Sequence, residues 1–168
     1  MSSLAWRPSS RRFWPEYASS AAATGSTVTP CTTVRFADTN ILLYAISRDT
    51  AEQDKARRAS ELLSARDIVL SAQVLQEFYV QATRKSRPDA ISHEQAVQLI
   101  ESFRRFEVQD ITTVIMSAAL ATCQRFQISY WDAAIIEASR TLGCDIVLSE
   151  DLADGQDYAG VRVENPFR

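Results

Sequence analysis

From Val34 onward the chain alternates short apolar runs with longer segments of helical period, and no other feature limits its fold as strongly. Strand candidates are 34–37 (VRFA), 67–70 (DIVL), 107–111 (EVQDI), 144–148 (CDIVL) and 161–163 (VRV). Helical patterns fill the gaps at 39–46, 51–64, 72–85, 93–105, 113–126 and 130–142. Strands spaced by helices pair in parallel, because a parallel neighbour needs a crossover of about a dozen residues or more. The expectation is one α/β domain over 34–168, with a central, mostly parallel sheet flanked by helices. Segment 113–126 (TVIMSAALATCQRF) is apolar almost all round, which predicts a buried helix. Gly143 falls where the last helix needs a C-terminal cap.

Residues 1–33 have a different character, rich in Ser, Thr and Ala with Glu16 as their one acid. So few aliphatic side chains cannot offset the entropy of ordering the backbone. The segment is read as a disordered extension or as a mis-annotated start, since Val34 is a position where a GTG start codon fits. Arg7, Arg11 and Arg12 in an acid-poor background also suit a transit peptide, although no apolar core of a secretion signal is present.

Composition narrows the chemistry by removal. The only histidine, His93, sits in Ser92-His93-Glu94-Gln95, a capping-box spacing that opens a helix, so histidine-based nucleophilic and HExxH metal chemistry have no support. The four glycines form neither GxGxxG nor GxxxxGK[ST], which removes the dinucleotide and P-loop phosphate cradles. Cys31, Cys123 and Cys144 are odd in number and far apart, which suits a reducing cytoplasm better than a disulfide framework or a CxxC zinc site. No apolar stretch approaches the roughly 20 residues that span a bilayer. Carboxylates remain.

In an open parallel sheet, ligands bind beyond the carboxyl ends of the strands. Asp38 ends the first strand candidate, and Asp151 follows the fourth through Ser149 and Glu150. Each also fits an ordinary Asx turn or helix cap, and Glu150 competes with Asp151 for the same role. Glu77 lies on the helix after the second strand, about 200° from the apolar Leu75 at 100° per residue, so it is either a site acid or part of a solvated face. Asp132, three residues after Ser129, reads equally as a first-turn cap favoured by the helix dipole and as a ligand.

Taken together, Asp38-Thr39-Asn40, Gln76-Glu77-Phe78, Tyr130-Trp131-Asp132-Ala133-Ala134-Ile135-Ile136, Leu148-Ser149-Glu150-Asp151-Leu152 and the closing Asn165-Pro166-Phe167 carry a resemblance. Over 34–168 the chain resembles the PIN domain, most closely the VapC toxins of bacterial toxin–antitoxin pairs. The resemblance implies that Asp38, Glu77, Asp132 and Asp151 converge on a divalent-metal site that cuts RNA. It further implies a small antitoxin partner and a homodimer. The chemistry is consistent on its own terms: clustered carboxylates repel one another unless a cation holds them, and an all-oxygen donor set suits Mg²⁺, with Mn²⁺ as a substitute. Thr39, Asn40 and Ser149 are candidates to orient these ligands. Arg57-Arg58, Arg84-Lys85-Ser86-Arg87 and Arg104-Arg105 are either phosphate contacts or solvated helix ends.

Two alternatives compete with this reading. A catalytically inactive PIN-like module that binds RNA or protein would be expected to have lost some of the four acids. A phosphoryl-transfer fold of the haloacid-dehalogenase or receiver kind also puts Asp after its first strand. Asp38-Thr39-Asn40 lacks the second Asp of that nucleophile motif, and neither Lys55 nor Lys85 follows a late strand.

Overall fold

The computed structural model describes residues 34–168; the segment read above as an extension or mis-annotated start, residues 1–33, lies outside the described residues. Twelve elements follow in order: β1 (Arg35–Ala37), α1 (Thr39–Ala45), a 3₁₀ turn (Thr50–Glu52), α2 (Gln53–Ser64), β2 (Ile68–Ser71), α3 (Ala72–Ala82), α4 (His93–Phe103), β3 (Glu107–Gln109), α5 (Thr113–Phe126), α6 (Tyr130–Thr141), β4 (Ile146–Leu148) and β5 (Arg162–Glu164). Each of the five expected strands and six expected helices is present, with ends shifted by up to three residues.

The five strands form one sheet in the order β3-β2-β1-β4-β5, and every neighbouring pair is parallel. Phe36, at the centre, is in register with Val69 of β2 on one side and Val147 of β4 on the other. Phe36, Ala37, Leu70, Val147 and Val163 are completely buried. Strands covered on both faces need apolar side chains at successive positions, which is why RFA, IVLS and IVL read as short continuous runs and do not alternate. The order also fixes where a ligand belongs. The chain moves outward from β1 through β2 to β3, then returns to the other side of β1 for β4 and β5. The carboxyl ends of β1 and β4 therefore flank the point where the winding reverses, and the connections leaving them open a crevice.

Helix starts are set by local chemistry. Ser71, Thr112 and Ser129 each accept a hydrogen bond from the amide three residues on, and Ser92 and Gln95 form the reciprocal capping box expected from their spacing. At the far end of α6, Gly143 takes a φ of +71°, a conformation that costs a residue with a Cβ. Val74, Phe78 and Ala82 form the buried stripe of α3, and the Phe78 ring meets Phe103 of α4 edge-on at 5.3 Å. Locking Phe78 inward turns its neighbour Glu77 toward the crevice.

The expectation that 113–126 is buried is not met. On α5 only Ile115, Ala119 and Thr122 are buried, along the side that packs on α6, while Val114, Leu120 and Met116 are 76%, 55% and 42% exposed. An apolar circumference shows that a helix could be covered all round; here a single partner helix covers one side. Among the described residues, no helix is long and apolar enough to cross a membrane.

Candidate active site

Four acids from four separate segments line one cavity of about 250 Å³: Asp38 after β1, Glu77 on α3, Asp132 in the first turn of α6, and Asp151 after β4. Thr39, Asn40, Leu43, Gln81, Trp131 and Ile135 complete the wall, so among the described residues the lining contains no Lys, Arg or His. The cavity sits at the crevice that the strand order creates.

Asp38 is the deepest of the four. Its amide donates to the Leu148 carbonyl at 3.0 Å, extending the β1–β4 ladder by one step, and its side chain is almost fully buried. One carboxylate oxygen accepts from the Thr39 amide at 2.6 Å, and the other accepts from the Ser149 hydroxyl at 2.7 Å and the Asn40 amide group at 3.3 Å. Burial is the strongest influence on its ionisation; with added repulsion from Asp151 and Glu77 it outweighs the Ser149 and Thr39 hydrogen bonds and pushes the pKa up to about 6.

The other carboxylates are likewise held by neutral donors. The Thr39 hydroxyl donates to Glu77 at 2.8 Å, the Ser129 hydroxyl to Asp132 at 2.8 Å, and the Asn40 side-chain amide lies 3.4 Å from an Asp151 oxygen. Asp132 therefore occupies both places that the sequence allows it: Ser129 accepts its amide at 3.1 Å as a helix cap, while its carboxylate faces the cavity. Glu150 is separated from its neighbour. It is bound by Lys55 of α2 and Tyr44 of α1 and is not part of the cavity wall, whereas Asp151 is.

The donor set suits a hard divalent cation. Among the described residues it is all oxygen, it carries four carboxylates with no protein cation among them, and the buried Oδ1 of Asn40 has no hydrogen-bond partner. As the side chains stand, no three carboxylate, imidazole or thiol groups among the described residues could hold one ion together. Unneutralised carboxylates repel, and Glu77 and Asp132 are each held by a hydroxyl, of Thr39 and of Ser129.

A larger groove, about 890 Å³, adjoins the cavity and shares Asn40, Leu43 and Asp151 with it. Arg48 and Arg87 reach this groove, though Arg87 is paired with Asp89. Of the basic runs noted in the sequence, Arg57, Arg58 and Arg104 are tied to Asp54, Glu61 or Glu101 on their own helices. Arg84 and Lys85 are exposed and have no ion pair among the described residues. Sequence reasoning missed two features that lie behind the wall. Buried Gln73 donates to the Trp131 carbonyl at 3.1 Å, and the Lys55–Glu150–Tyr44 cluster backs the Asp151 turn. Neither leaves a local sequence signal.

Comparison with known proteins agrees with this fold. The fold is similar to a toxin–antitoxin complex from Klebsiella pneumoniae (20% identity, TM-score 0.57, covering 79% of this chain and 97% of that one). It is also similar to Mycobacterium tuberculosis VapC20, a Sarcin-Ricin loop cleaving toxin (20% identity, TM-score 0.55, covering 74% and 92%). A third similar structure is VapBC2 from Rickettsia felis bound to a DNA fragment from its promoter (18% identity, TM-score 0.54, covering 79% and 98%). No curated protein matches the chain. The PIN domain model matches residues 35–153, a span that holds β1, all four cavity acids and the turn after β4, and the chain therefore belongs to the PIN domain family.

Proposed function

We propose that this protein is a Mg²⁺-dependent endoribonuclease, able to use Mn²⁺, and the toxin of a toxin–antitoxin pair. The observation that carries the reading is the single cavity lined by Asp38, Glu77, Asp132 and Asp151 without a protein cation. These four residues would hold the ion. When bound, it supplies a water of lowered pKa and neutralises charge on the scissile phosphate and the leaving oxygen. Asp38, fixed by three hydrogen bonds, gives the site a rigid point of reference. Glu77 is held by one hydroxyl, so it can exchange that contact for an ion or an attacking water at small cost. Asn40 bridges Asp38, Ser149 and Asp151 and so couples the two sides of the crevice. Arg84 and Lys85, which have no ion pair among the described residues, stand close in sequence to the groove residue Arg87, and they suit backbone phosphates.

Membership of the PIN family and the likeness to toxin–antitoxin complexes support a small antitoxin as partner and a cytoplasmic site of action. A homodimer through the uncovered apolar side of α5 completes the proposal. Incubating the purified protein with structured RNA tests the activity. Cleavage should require Mg²⁺ or Mn²⁺, stop in EDTA and disappear in Asp38→Asn. Cleavage that survives either treatment would refute the assignment, and Mn²⁺ binding without any cleavage would favour an inactive RNA- or protein-binding module.

A further inference from the structure

Two carboxylates stand side by side after β4, and only one reaches the cavity. The turn that separates them is held from both sides. On the inner side, the Ser149 hydroxyl accepts from the amides of Asp151 and Leu152, each at 3.2 Å, while donating to Asp38 at 2.7 Å. This ties the turn directly to the deepest acid of the site. On the outer side, Glu150 is held by the Lys55 ammonium and the Tyr44 hydroxyl, which are themselves 3.0 Å apart. Lys55 sits 4.6 Å from the centre of the Tyr44 ring and 5.8 Å from that of Phe167, and the two rings meet edge-on at 4.8 Å. The cation thus lies against two aromatic rings with Glu150 as its counter-ion.

The Lys55 and Glu150 side chains keep 35% and 26% of their exposure, and ion pairs this accessible add little to stability. Stability therefore does not explain the cluster well, whereas its position does. A free carboxylate one residue from Asp151 would compete with it for any cation in the cavity.

We propose that Lys55, with Tyr44, is a positioning residue that holds Glu150 outward and so selects Asp151 as the carboxylate presented to the cation. This inference rests on the metal-site reading above. Isothermal titration of the full chain with Mn²⁺, alongside melting temperatures for every variant, tests it by gain of binding. Asp151→Asn should weaken Mn²⁺ binding at least tenfold. Adding Lys55→Met should release Glu150 and recover threefold or more of that loss, while adding Lys55→Arg, which keeps the ion pair, should recover nothing. The recovery should vanish when Glu150→Gln is added. Absence of recovery overturns the inference, as does recovery that persists with Glu150→Gln, because that would report only the removal of a nearby positive charge. Undiminished binding by Asp151→Asn also overturns it. If the parent itself binds no Mn²⁺, the metal-site reading fails and this inference fails with it; parental binding with no recovery refutes the positioning role alone.

Discussion

Replacing Asp38 with Asn should make the metal-free protein more stable, although it removes a hydrogen-bonded residue at the heart of the site. Asp38 is almost fully buried, and burial together with Asp151 and Glu77 raises its pKa from 3.8 to about 6. A shift of that size means that the ionised form costs the native state about 3 kcal/mol at pH 8. The sign follows from proton counting. Between the unfolded and folded pKa values the native state binds more protons than the unfolded chain, so stability falls as pH rises through that window and is lowest above it. Asn removes the charge. Its oxygen can still accept from the Thr39 amide, but its NH₂ group would face the Ser149 hydroxyl and the Asn40 amide group, both of which now donate to the other carboxylate oxygen of Asp38. Asn40 can answer by flipping its Oδ1, which has no partner among the described residues, toward the new donor, at the expense of its contacts with Ser149 and Asp151, while the Ser149 hydroxyl loses its acceptor. Allowing about 2 kcal/mol for that rearrangement and the lost Ser149 hydrogen bond leaves a gain of about 1 kcal/mol. For a domain of this length, that raises the melting temperature by about 3 °C. Thermal melts in EDTA at pH 8 and pH 4 measure it: the variant should melt higher at pH 8, and the gap should close toward pH 4. Mn²⁺ should raise the melting temperature of the parent and leave the variant unchanged. A variant that melts at or below the parent at pH 8, or a gap that is the same at both pH values, would refute the argument that uncompensated charge destabilises this site.

Asp132→Gln separates the two roles that meet at that residue: the longer amide side chain can still serve the helix start, so melting should shift by only a few degrees, while Mn²⁺ affinity should drop about tenfold by titration. Unchanged affinity would leave Asp132 a cap and nothing more. Leu120→Arg places a charge in the uncovered side of α5 and should convert a dimer to a monomer by light scattering, with little loss of stability because Leu120 is 55% exposed. A dimer that survives the change would put the interface elsewhere.

The alternating pattern from Val34 onward was enough to place every strand and helix, because those elements are governed by neighbours one to four residues away: apolar runs for strands, and Ser or Thr with a partner three residues on for helix starts. Parallel winding then puts Asp38 and the Ser149–Asp151 turn at the same edge of the sheet, so two of the cavity acids were readable from position alone. The resemblance of short motifs to a family supplied Glu77 and Asp132, whose local patterns fit a solvated face and a cap equally well. Other features depended on the tertiary structure. Whether Glu150 or Asp151 faces the cavity is decided by Lys55 and Tyr44, which lie 95 and 106 residues from Glu150 in the chain. No periodicity connects residues so far apart; only the packing of α1 and α2 beside the turn brings them to it. The exposure of α5 is of the same kind. Hydrophobic pattern reports which surfaces a helix can bury, but whether they are buried depends on how many elements pack against it, and here α6 covers only one side of α5. The same holds for Asp38: its sequence context marks a helix start, while the burial that raises its pKa exists only once Leu148, Ser149 and Asn40 close around it.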